Sequence, residues 1–152
     1  MKRLFRGIFL AYFIVILTGC IGEEYDFTPP TVTLNDSSSL KNLVELAEAN
    51  IDWRGEEGEP LTKETEDAFA FAKDQTPVSI SSGQKVDIEF GSQDFAVEEL
   101  EVSMWKQDEE MKLDVMDGRS FYFPEEKGEY VIVLDLRSDR GKAQYVGNAV
   151  VQ

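Results

Sequence analysis

Apolar and polar positions divide the chain into three stretches with different rhythms. The first is a solid apolar run, Ile8 to Leu17, behind a basic head of Lys2, Arg3 and Arg6. The second, from about residue 38 to 72, mixes spacings of two, three and four. The third begins at Pro77 and keeps a two-residue period nearly to the end. Alternation puts successive side chains on opposite faces of a strand. In this region Val78 and Ile80 alternate with serines, and Val86, Ile88 and Phe90 with Lys85, Asp87 and Glu89. Leu100, Val102 and Met104 alternate with Glu101, Ser103 and Trp105, then Met111, Leu113 and Val115 with Lys112 and Asp114. Asp117-Gly118 is a two-residue hairpin signal, since both central residues of a type I′ turn need positive φ. Phe121-Tyr122-Phe123 is the return strand, ended by Pro124. Tyr130 to Leu136 is almost continuously apolar, which predicts a central strand, and Ala143 to Val151 completes the set. Seven strands at a spacing of ~8–12 residues, with turns between them and no intervening helix, predict an antiparallel β-sandwich rather than a parallel sheet.

The middle stretch predicts helix. Ser38 or Ser39 is placed to cap it, and Leu40, Leu43, Val44, Leu46 and Ala47 recur at three-and-four spacing, giving a helical segment near 39–49. Ile51 and Trp53 alternate and can begin a strand. Gly55 to Pro60 reads as an acidic loop. Thr62 to Asp67 can cap a turn of helix through Phe69, Ala70, Phe71 and Ala72. Before this, Thr31 to Leu34 is a short β-type run closed by Asn35-Asp36.

The opening run is too short for a permanent span. Ten residues of helix at ~1.5 Å each cover about 15 Å, half of the ~30 Å hydrocarbon core. A basic head, an apolar centre and small residues at the end make a secretory signal peptide over residues 1–19. It ends in Leu17-Thr18-Gly19-Cys20, which resembles a bacterial lipobox. The resemblance implies cleavage between Gly19 and Cys20, a diacylglycerol on the Cys20 sulfur, and a lipid-anchored protein on the extracytoplasmic face of the cell membrane. Residues 20–30, with Glu23, Glu24, Asp26 and the Pro29-Pro30 pair, read as an acidic, extended tether. Residues 31–152 then form one domain, long enough to bury a real core.

Composition narrows the chemistry. The chain has 30 acidic and 15 basic residues. Three of the bases lie in the signal, so residues 20–152 are more acidic still. Such a surface repels nucleic acid and anionic headgroups and suits a cation or a basic partner. There is no histidine, and Cys20 is the single cysteine. Histidine-based nucleophile systems, histidine general bases and histidine-ligated zinc are therefore excluded, and no intramolecular disulfide is available.

Two segments resemble the immunoglobulin-like sandwich family. Gly128-Glu129-Tyr130, before Val131-Ile132-Val133, is similar to the start of that family's penultimate strand, where a tyrosine bonds its hydroxyl to nearby backbone. Trp105 falls late in an earlier strand, as in those domains; their paired cysteines are missing. Trp53, Met104-Trp105-Lys106, Phe123 to Tyr130 and Gly141 to Tyr145 together resemble a group of small uncharacterised lipoproteins of Gram-positive bacteria. That resemblance carries no activity, catalytic residue or cofactor.

The expected function is a non-enzymatic binding module for a protein or cell-envelope partner. Candidate contacts are Trp53, Asp94 and Phe95 in the loop from Gly91, and Arg137 and Arg140 in the turn to Gly141. The same loops suit a proteinase inhibitor as an alternative. Glu56, Glu57 and Glu59 are weak candidates for a calcium-responsive loop, since calcium takes six to eight oxygens but the regular Asp-x-Asp spacing is absent. A glycosidase-like pair needs facing carboxylates, which sequence adjacency does not supply. Trp53, Trp105 and Tyr122 are candidates for a sugar platform, although strand aromatics usually fill cores. Met104 and Met111 read as core fillers.

Overall fold

The computed structural model describes residues 25–39, 41–116 and 119–152. The signal, the lipobox residues Gly19 and Cys20, Leu40 and the Asp117-Gly118 turn lie outside the described residues. The described part is mainly β, antiparallel and sandwich-like, with one short helix.

The strands are β1 (Val32–Asp36), β2 (Asn42–Arg54), β3 (Pro60–Lys63), β4 (Val78–Ile80), β5 (Lys85–Phe90), β6 (Val97–Lys106), β7 (Glu109–Leu113), β8 (Ser120–Tyr122), β9 (Gly128–Ser138) and β10 (Gly141–Val151). Helix α1 is Ala68–Lys73. Hydrogen bonding runs in the order β7-β6-β9-β10-β2-β1-β5-β8, with β3 on β2 and β4 on β10. The β4–β10 pair is parallel and the rest are antiparallel. All seven strands expected after Pro77 are present. Met116 bridges to Ser120 across the predicted hairpin. Arg119 takes a φ of 59° there.

The helix expected near 39–49 is a correction: those residues belong to β2, a strand of 13 residues. Its first part pairs with β1 and its second with β10, so one strand serves both sheets. Opposite β10, Gln144 pairs with Asn50 and Tyr145 with Glu48, leaving Ala49 as the extra residue of a bulge. A bulge slips the two-residue period by one position. Leu46 lies in the core before it, Ile51 and Trp53 after it, and Ala49 serves a different cluster. The slipped alternation imitates helical spacing. The turn of helix expected through Phe69 to Ala72 is present as α1, and the cap within the Thr62 to Asp67 stretch is Asp67, whose carboxylate accepts the Ala70 N–H at 2.9 Å, while Thr62 itself lies in β3.

Inward residues of both sheets share one core. Val32, Leu34, Val86, Ile88 and Phe121 meet Trp53, Met104, Ile132, Leu134 and Tyr145, all buried. Met104 fills it as expected, whereas Met111, its partner on edge strand β7, is exposed, a correction that follows from β7 having no neighbour on its outer side. On the outer face of the larger sheet, α1 covers a second cluster in which Ala72 sits on Val131, Val133 and Val146. This is why β9 is apolar on both faces over part of its length.

Tyr130 is buried, and its hydroxyl donates to the Glu126 carbonyl at 2.8 Å, four residues upstream. Lys106 stands 5.6 Å over its ring and pairs with Glu126. Tyr130→Phe removes one partly buried hydrogen bond and no packing. The expected loss is about 1 kcal/mol in urea unfolding. No loss at all would show that the bond is not holding this corner.

The tether also differs from expectation. Residues 26–30 lie on the domain. The Asp26 N–H donates to Asp94 Oδ2 at 2.7 Å. The Arg140 guanidinium lies 4.6 Å over the Phe27 ring. The buried Tyr145 hydroxyl donates to the Pro30 carbonyl at 2.6 Å, and burial pushes that phenol's pKa up.

Candidate functional site

The expected contact loops do converge at one end, but they are engaged. Asp139 Oδ1 accepts the Ala96 N–H at 2.8 Å, and the Asp139 N–H returns to the Ala96 carbonyl at 3.2 Å. The Arg54 guanidinium reaches the Asp139 carbonyl. Asp94 and Arg140 hold the N-terminal segment through Asp26 and Phe27. Phe95 is half-buried, edge-on to Trp53 and to Phe90 at 5.5 Å each. Trp53 itself is 2% exposed. It is core, so its candidacy as a partner contact is withdrawn. Arg137 points elsewhere, onto the outer sheet face, where it pairs with Glu99 at 3.0 Å.

The sugar platform does not assemble. Trp53 is buried, Trp105 is edge-on to Phe69 at 4.8 Å beside α1, and Tyr122 is exposed on β8 in the other sheet. In the acidic loop, Glu59 turns inward and its carboxylate accepts the N–H groups of Glu56 and Glu57 at 3.2 and 2.8 Å. Those backbone bonds, with that of its own N–H, lower its pKa. The loop thus spends one of its three carboxylates on capping itself. Among the described residues no set of three carboxylate, cysteine or histidine side chains is placed to hold a metal ion.

A concavity lies on the outer face of β6, β9, β10 and β2, beyond the edge of α1. It is a groove of about 890 Å³, walled on one side by residues 63–66. Two cross-strand rows form its floor. In the first, Glu101, Asp135, Gln144 and Asn50 stand opposite one another on successive strands. Their polar groups are chained: the Thr65 N–H donates to Asn50 Oδ1 at 2.8 Å, Asn50 Nδ2 to Gln144 Oε1 at 2.7 Å, and Gln144 Nε2 to Asp135 Oδ1 at 2.9 Å. In the second row stand Glu99, Arg137, Lys142 and Asp52. The lining has six carboxylates against three cations. Arg137 is held by Glu98 and Glu99, and Lys63 donates to the Glu48 carbonyl. The groove is therefore acidic on balance.

Asp135 is exposed within the row, between Glu101 and Gln144, yet crowding by neighbouring side chains strips part of its hydration and raises its pKa. Glu101 and Glu110 add repulsion, while the Gln144 amide and Lys112 oppose it. The folded state thus holds this proton more tightly than the unfolded chain does. Asp135 costs stability once pH exceeds its folded pKa, and costs nothing below the unfolded one. Asp135→Asn is expected to raise the melting temperature slightly at neutral pH, with the gain vanishing on acidification through the carboxylate range. A gain that persists at low pH would contradict a charge effect.

None of the groove residues except Arg137 stands out in the sequence as a contact. The available signal is Asp135 and Arg137 interrupting an otherwise apolar strand on alternate positions, both facing away from the core.

No protein-family model and no curated protein matches this chain.

Proposed function

We propose that this chain is a lipoprotein anchored through Cys20 to the extracytoplasmic face of a cell membrane, and that its β domain is a non-enzymatic binding module whose site is the outer-face groove. The observation that supports the groove over the loop end is occupancy. The loops around Asp94 and Arg140 are taken up by the protein's own residues 26–30, while the groove stays open. This also weakens the inhibitor reading, which needs a loop standing clear of the body. The acidic balance of the lining favours a positively charged segment of a protein or envelope partner. Pockets that bury a ligand commonly combine an apolar stretch with a few placed polar groups, and the amide row of Asn50 and Gln144 provides such groups.

One feature favours a hydrolytic second reading. Glu101 and Asp135 are cross-strand partners on adjacent strands, and Asp135 has a raised pKa. Against it, Glu101 is itself exposed and held by Lys112 at 3.4 Å. Neither carboxylate has the water-free surroundings of a general acid. Hydrolysis of peptidoglycan by the purified domain, lost in Asp135→Asn, would establish that reading instead.

The binding reading is tested by a photo-crosslinking residue placed at Gln144 in intact cells, with Tyr122 on the opposite sheet as control. Gln144 is expected to capture a discrete partner that Tyr122 does not. Equal capture at both positions would remove the groove from consideration.

A further inference from the structure

We infer that the domain stands end-on on the bilayer, with the β2–β3 loop and the β9–β10 turn toward the lipid headgroups. This rests on the proposed lipidation of Cys20. The point where the chain leaves the domain is fixed, because Asp26 is bonded to Asp94, Phe27 lies under Arg140, the Thr31 carbonyl accepts the Gly91 N–H at 2.9 Å, and Pro30 is held by Tyr145. Four residues lie between Cys20 and Tyr25, so five residue steps join them. At ~3.3–3.6 Å per residue they reach about 18 Å at most. The domain is longer than that leash: β6 alone, with ten residues, rises from this end for about 33 Å at ~3.3 Å per residue. The far end, at the β6–β7 turn and the Glu126–Lys106 pair, thus cannot stand on the surface with the near end uppermost.

The near end is mixed: the β2–β3 loop carries Glu56, Glu57 and Glu59, and the point where the chain enters carries an aromatic and guanidinium cluster. Tyr25 is 57% exposed and its ring lies 6.2 Å from Phe27, itself under the Arg140 guanidinium. Aromatic rings with a polar tip, beside guanidinium groups, suit the headgroup layer. Lying sideways would add the acidic groove face or the acidic edge strand β7 to the carboxylates that already face the lipid phosphates. Upright, the groove opens laterally, its Glu99–Asp52 row nearest the membrane.

The test uses the full chain purified from membranes and reconstituted in phosphatidylcholine vesicles with a headgroup-bound acceptor fluorophore. Donors are attached at Glu57→Cys, in the β2–β3 loop, or at Asp108→Cys, in the β6–β7 turn, both exposed. Mass spectrometry first establishes whether Cys20 carries lipid. Energy transfer is expected to be several-fold stronger from position 57 than from 108. Equal or reversed transfer in a lipidated chain would overturn the orientation and leave the anchor standing. A Cys20 without lipid would overturn both.

Discussion

Trp53→Ala is expected to destabilise the domain by about 3–5 kcal/mol, the range for emptying a buried aromatic site. That is a large share of the ~5–15 kcal/mol by which domains are stable. Trp53 is 2% exposed and packs edge-on against Phe95, which in turn meets Phe90 of the other sheet. It therefore closes the core at the end where the β9–β10 turn crosses β2. The space cannot collapse easily. Gly141, opposite Trp53, has a φ of +145°, and a Cβ there would collide with the Asp52 carbonyl oxygen, so the backbones already touch. Trp105→Ala gives the contrast: only half-buried against Phe69 on the outer face, it should cost clearly less. Urea unfolding of both variants checks this. A Trp53 loss below about 1 kcal/mol would mean that the site is not sealed.

Cys20→Ser is expected to release the protein from the membrane fraction and to block maturation. The magnitude comes from chain burial. Each methylene buried in the bilayer contributes about 0.8 kcal/mol, so one acyl chain holds marginally and two hold stably. Removing the acceptor sulfur removes every chain at once. The acidic domain offers no compensating attraction to anionic lipid. Membrane fractionation with radioactive palmitate labelling reads the outcome. A serine variant that still sediments with membranes and still labels would end the anchoring proposal.

Legibility of the sequence depends on whether each element obeys a single rhythm. From Val78 onward the strands alternate in their inward sets apart from a shift between Val97 and Glu99 at the start of β6, and all seven are readable, including the buried centre of β9. Strand β2 is not, because it leaves one sheet for another and carries a bulge at Ala49 that shifts Ile51 and Trp53 out of phase with Leu46. Strand β3 is hidden in a threonine- and glutamate-rich stretch with no periodicity of its own. The groove is least legible. Its floor is assembled from Glu101, Asp135, Gln144 and Asn50, which are far apart in sequence and become neighbours only through register. No local pattern encodes that register. The docking of residues 26–30 is hidden for a related reason: a proline pair announces extended backbone, but not the tyrosine hydroxyl waiting for its carbonyl.

Because β2 is woven into both sheets, the two halves of the sandwich have no seam along which to part. Leu46 belongs to the layer with β1, and a few residues later Asn50 and Asp52 form the groove floor. Groove floor and opposite wall are thus stretches of one continuous ribbon of backbone.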